Sequence, residues 1–122
     1  GELVTGPIAY HDTKFVELAE PNTAYNFYPA VVGKQFVIAG IIAKADKQVS
    51  SATDADVVIY EATAPDTTTE VKVLLQLAMV EGDLLSVVPL NIIVAHGCYV
   101  NAKTTDDDIH VTIMGYYISK VS

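Results

Sequence analysis

This sequence predicts an all-β fold, a two-sheet antiparallel β-sandwich that is jelly-roll-like with an extended N-terminal arm, and three observations carry that expectation. In the last third, Val87-Val88-Pro89-Leu90, Gly97-Cys98-Tyr99-Val100 and Ile109 to Ile118 are β-type runs separated only by turn-like residues, with no stretch that suits a helix. Phe36 to Ala43 is apolar on both alternating faces, the mark of a strand buried inside a layered fold. About eight or nine such runs follow at near-regular spacing with proline and glycine at the joints, which favours a sandwich and leaves a closed barrel as the rival.

Taken in order, residues 1–7 have no period, and Ile8 to Leu18 alternates only weakly around His11-Asp12-Thr13. After the turn pair Pro21-Asn22, Ala24 to Tyr28 alternates with Tyr25 and Phe27 on one face, and Pro29 closes it. Residues 1–34 therefore read as an N-terminal arm with the first short strands, and residues 35–122 as the sandwich body of one domain. Gln35 to Ala45 is the first strong strand, with Phe36, Ile38, Gly40 and Ile42 on one face and Val37, Ala39, Ile41 and Ala43 on the other. Lys44 to Asp56 is a polar loop, Val57 to Glu61 a compact strand, and Ala64-Pro65-Asp66 a loop tip. Glu70 to Met79 could be a helix by its leucines, yet its β-branched start and the Thr67-Thr68-Thr69 lead-in favour a strand. Glu81-Gly82-Asp83 turns into the strand Leu84 to Val88. Ile92 to Val94 and Cys98 to Ala102 follow, Lys103 to Asp108 is a loop, and Ile109 to Ile118 is a long closing strand.

The 122 residues suit a single domain, which at this length removes about 65% of the unfolded chain's surface from water. The longest apolar run, Phe36 to Ala43, is far short of the roughly 18 residues a membrane-spanning helix needs, so a soluble or peripheral protein is expected. No basic segment or apolar core follows Gly1-Glu2-Leu3, and no secretion signal is expected in these residues. The formal charge is −8, from seven lysines, no arginine and fifteen acids. Without arginine, and with so little positive charge to release counterions, the chain is not expected to bind nucleic acid. The same acidity disfavours anionic membranes and leaves the chain free to dock on a basic protein surface. A single cysteine, Cys98, allows no intrachain disulfide, so stability must come from packing or oligomerisation.

Few residues invite a chemical reading. His96 and Cys98 are two apart and would share a strand face, as a thiolate with an activating imidazole requires, but no helix N-terminus or basic neighbour is visible to lower the thiol pKa. The expectation is a buried, inert Cys98. Asp106, Asp108 and His110 fall at i, i+2 and i+4, which could gather ligands around one cation, but this set completes neither a calcium nor a zinc shell, and a solvated loop tip is expected. The pair Asp54 and Asp56 reads the same way. No phosphate loop, serine elbow or CxxC pair is present, so neither an enzyme nor a cofactor is expected. Seven tyrosines without tryptophan could offer stacking platforms for sugars at Tyr25, Tyr28 and Tyr60, though such residues more often line a core edge or a subunit interface. Apolar residues assigned to the outer face, including Val37, Ile41, Tyr116 and Ile118, exceed what a monomer leaves exposed, and sister subunits are expected to cover some of them.

The N-terminal arm, the Phe36 to Ala43 strand, Val57-Val58-Ile59-Tyr60, then VVPLNIIVAHGCYVNAK and the closing IHVTIMGYYI together resemble the small jelly-roll virion proteins of tailed bacteriophages. The likeness spans residues 35–118 as a pattern of strands and turns. It implies a capsid decoration, or cement, protein that binds the outside of a phage head, commonly as a homotrimer, with the major capsid protein as partner and no catalytic residues. In that setting Leu3, Val4, Ile8, Tyr10 and Phe15 are the expected capsid contacts, and Tyr25, Phe27, Tyr116 and Ile118 the expected subunit interface. The alternative is a trimeric receptor- or glycan-binding head module of a tail fibre or spike, touching its target through loops 44–56 and 103–108.

Overall fold

The computed structural model describes residues 12–45, 55–80, 82–106 and 108–120. Among them every regular element is a strand: β1 (Asp12–Leu18), β2 (Tyr25–Tyr28), β3 (Lys34–Ala45), β4 (Ala55–Ala62), β5 (Lys72–Met79), β6 (Leu84–Val87), β7 (Ile92–Ile93), β8 (Tyr99–Thr104) and β9 (Ile109–Ser119). They form a five-stranded sheet in the order β1-β9-β3-β6, with β7 sharing the far edge of β3, and a four-stranded sheet in the order β2-β8-β4-β5. All pairings are antiparallel.

The pairs β1·β9, β2·β8, β3·β6/β7 and β4·β5 nest inside one another along the chain. The chain is thus one long hairpin with its tip between β4 and β5, rolled until β9 meets β3 and β8 meets β4. That is the jelly-roll topology, and it makes the architecture a two-sheet sandwich rather than a closed barrel. Residues 12–28, read with the arm, supply an edge strand to each sheet.

Each strand turns one face inward, and the two inner faces meet as the core. The five-stranded sheet contributes Leu18, Phe36, Ile38, Ile41, Ala43, Ala45, Ile109, Val111 and Ile113, and the four-stranded sheet Phe27, Val57, Ile59, Leu77, Met79, Val100 and Ala102. Near one end Phe36 stacks on Tyr28 with ring centroids 3.9 Å apart and meets Tyr117 edge-on at 5.0 Å. The hydroxyl of Tyr28 donates to the Ile113 carbonyl at 2.7 Å, so its polar tip is satisfied inside the core. Gly115 lies beneath this stack: a Cβ there would meet the Val37 carbonyl oxygen and would sit 2.7 Å from two atoms of the Phe36 ring.

Two bulges change which residues face inward. On β3 the register against β9 shifts between Ile38 and Gly40. The carbonyl of the extra residue, Ala39, accepts from the Leu90 N–H at 2.7 Å. Phe36 and Ile38 point into the core before the bulge, and Ile41, Ala43 and Ala45 after it. Ile41 was expected on the outer face and is fully buried instead, while Ile42 moves outside. Val37 does lie on the outer face, but it is covered rather than exposed. On β2 a shift between Asn26 and Tyr28 lets Phe27 and Tyr28 both turn inward. Phe27 is therefore a core residue and not part of a subunit interface.

Candidate functional site

The cysteine and histidine pair does not form an activated thiol. Cys98 is half-buried, and burial followed by the nearby Glu61 carboxylate pushes its thiol above its ordinary pKa. The acceptor nitrogen of His96, Nε2, takes the N–H of Gly33 at 3.0 Å. That bond ties the β7–β8 turn to the β2–β3 turn.

The acidic candidates spread along one end of the sandwich. His110 leaves the Asp106–Asp108 loop on the outer face of β9, where its ring meets Phe15 edge-on at 5.5 Å and its Nε2 lies 3.7 Å from Glu17 Oε2. Asp56 is tied to the neighbouring loop, its N–H donating to Thr105 Oγ1 at 2.9 Å. Among the described residues no three His, Cys, Asp or Glu side chains come together as metal ligands. Asp54 lies outside the described residues.

Of the three tyrosines weighed as stacking platforms, two are inside the protein. Tyr28 is in the aromatic stack, and Tyr60 is wholly buried beneath the β4–β5 loop, donating to the Thr67 carbonyl at 2.7 Å. The same loop is held by Asn101, whose side-chain nitrogen donates to the Ala64 and Thr67 carbonyls at 3.0 and 3.3 Å. Lys103 lies over the Tyr60 ring and meets Glu70 at 2.8 Å. Tyr25 is half-buried at the edge of β2, its hydroxyl accepting the Glu20 N–H at 2.9 Å. Neither sugar platform nor subunit contact is left for Tyr28 or Tyr60.

Of the residues expected to meet the capsid, Phe15 stands 57% exposed on the outer face of β1. Leu3, Val4, Ile8 and Tyr10 lie outside the described residues. Tyr116 and Ile118 are half-buried on the outer face of β9, whereas Tyr25 belongs to the other sheet, so these interface candidates are not on one surface.

Two exposed surfaces stand out. The first is the outer face of the five-stranded sheet, where Phe15, Leu84, Val88 and Ile93 are about half exposed or more and Ile42, Met114, Tyr116 and Ile118 lie between them. The outer face of the four-stranded sheet is mixed, with Asn26, Asp56, Gln76 and Lys103 beside Val58 and the exposed Val73. Tyr116 and Ile118 of this first face were expected outside from alternation in the last strand, whereas Phe15, Ile42, Leu84 and Val88 join it only through pairing of separate strands.

The second surface is the β2–β3 turn, where Val32 is 95% exposed and Val31 38%. Gly33, at φ 76°, lets the chain reverse there. Its N–H goes to His96 and its carbonyl accepts the Lys120 N–H at 2.8 Å, so the turn is held from two sides. Lys34, Lys72 and Lys120 are exposed around this end, together with Asp12, where β1 begins, and Asp66 and Glu70 of the β4–β5 loop. The opposite end carries Glu17, Glu20, Asp56, Asp83, Asp106 and Asp108 against Lys44 among the described residues. No protein-family model matches this chain, and no curated protein matches it either.

Proposed function

We propose that this chain is a virion structural protein, a capsid decoration (cement) protein that binds the outside of a phage head as a homo-oligomer and stabilises the shell. The observation that carries this reading is the β2–β3 turn. A valine 95% exposed on a turn held by two hydrogen bonds is a preorganised apolar contact, which loses little entropy on docking. Lys34, Lys72 and Lys120 lie around it beside Asp12, Asp66 and Glu70, and six of the ten described carboxylates lie at the far end, so docking by this end leaves those six in solvent. β1 begins at this end with Asp12, so the sequence before it, residues 1–11, is the segment proposed to contact shell subunits. Anything that binds only the assembled shell stabilises it by mass action. The jelly-roll body and the resemblance to phage virion proteins agree with this role.

The test is occupancy on phage heads stripped of this protein. Replacing the exposed valine (Val32→Asp) is expected to lower head occupancy at least tenfold while leaving the melting temperature unchanged, because its side chain is 95% exposed. Deleting residues 1–10 is expected to weaken binding further with the fold intact. Wild-type occupancy by both variants sinks the docking end. Gold-labelled antibody against the chain found only at tail tips moves the assignment to a receptor-binding module.

A further inference from the structure

The outer face of the five-stranded sheet is ordered in rows of paired residues. Nearest the acidic end, the row across β1, β9, β3 and β6 is Glu17, His110, Lys44 and Leu84. The next row is Phe15, Thr112, Ile42 and Ser86. The third is Thr13, Met114 and Gly40, with a Val88 methyl against the Gly40 position, where a Cβ would sit 2.8 Å from it. Beyond these come Tyr116, Val37 and Ile93. Among the described residues, Glu17 and Lys44 are the charged side chains on this face, with His110 between them.

These rows are complementary to themselves when left and right are exchanged about β9. A two-fold axis along β9 brings β1 of one copy over β3 of the other. Glu17 then meets Lys44, Met114 meets Met114, and the exposed Phe15 ring lands over Ile42 in the trough between Leu84 and Val88. We propose that two copies of this chain pair through the outer face of the five-stranded sheet, with Phe15 of each filling the Leu84–Ile42–Val88 trough of the other and Glu17 of each facing Lys44.

A second copy is the occupant that the chemistry selects. The face is isologous, as a two-fold interface must be, and two sheets can pack on it about 10 Å apart as in any sandwich. Phe15, Leu84, Val88 and Ile93 together leave on the order of 400 Å² of apolar surface open. With the partly exposed residues between them, that approaches the roughly 800 Å² per partner of a standard interface. The chain carries a formal −8, so a face that sets Glu17 of one copy against Lys44 of the other offsets part of the repulsion between copies. The pairing is two-fold where the resemblance implies a threefold grouping. It forms without a shell, so its fate is separate from that of the proposed function.

Sedimentation equilibrium of the purified full chain tests it. The expected species has twice the 13.1 kDa chain mass. Glu17→Lys alone and Lys44→Glu alone each turn two attractive contacts into two repulsive ones and raise the dissociation constant about tenfold or more. The double variant restores the pair, and Phe15→Asp abolishes it. All three sites are exposed, so circular dichroism should show native spectra for all four variants. A monomeric or trimeric wild type, insensitivity to the single reversals, or failure of the folded double variant to regain the pair would each overturn the proposal.

Discussion

Replacing Gly115 with alanine tests the core packing more sharply than any truncation. The added methyl collides with the Val37 carbonyl oxygen, which is backbone in a strand paired to β9, and comes within 2.7 Å of Phe36 Cε2 and Cζ. Neither can yield alone. Phe36 is 3% exposed and stacked on Tyr28 at 3.9 Å, so moving its ring breaks the stack and its edge contact with Tyr117. Overpacking of this kind costs about 1–3 kcal/mol, and losing an aromatic pair about 0.5–1.5 kcal/mol more. Against a total stability of about 6–18 kcal/mol for a chain of this size, a loss near 3 kcal/mol corresponds to a melting temperature lower by about 10 °C. Thermal unfolding followed by circular dichroism measures it, with Gly82→Ala as the control. A Cβ at Gly82 meets nothing within 4 Å, so that variant reports only the strain of φ 80°, about 1–2 kcal/mol. A Gly115→Ala protein that melts within about 3 °C of wild type would refute the close approach of Phe36 and Val37 to β9.

Asn101→Ala removes two donors to the β4–β5 loop and the Oδ1 that accepts from Asn26 at 3.0 Å, all at a site with no exposed surface. A loss of about 2–4 kcal/mol is expected from the orphaned groups, together with faster amide exchange in residues 63–71 while β3 and β9 stay protected; unchanged exchange in that loop would remove the anchoring role. Burial, and then Asp12 and Tyr117, push the Tyr28 phenol above its ordinary pKa, and burial does the same for Tyr60 and Tyr117. The folded state holds these protons while the unfolded chain releases them near pH 10, so stability is full below about pH 10 and falls as pH rises beyond it. Tyr28→Phe is expected to lower stability by about 1 kcal/mol at neutral pH through the lost bond to Ile113 and to flatten the alkaline decline; an unaltered slope in denaturant titrations between pH 9 and 11, about the ordinary tyrosine pKa, would contradict this.

Most strands were legible because their signal is local. Alternation in Ile109 to Ile118, the turn at Gly82-Asp83 and the β-branched start of β5 each report on the few residues around them. The candidate site was far less legible. His96 and Cys98, two apart in sequence, are separated chemically by the β2–β3 turn that claims the imidazole, and Tyr60 is hidden by a loop that folds back over it. Apolar residues at Phe15, Ile42, Leu84 and Val88 come from four strands and become one surface only when those strands pair.

The sequence by itself determined that this chain is all-β, strongly acidic, and built around the doubly apolar β3, since period, turn chemistry and composition are properties of neighbouring residues. The tertiary structure alone decided which face of β3 looks inward. Where every residue of a run is apolar, alternation carries no phase, and the one-residue bulge at Ala39 sets it by exchanging a ladder bond for the Leu90 N–H. It also decided the jelly-roll order of strands and the apolar outer face, because both arise from pairings between residues as far apart as Phe15 and Thr112.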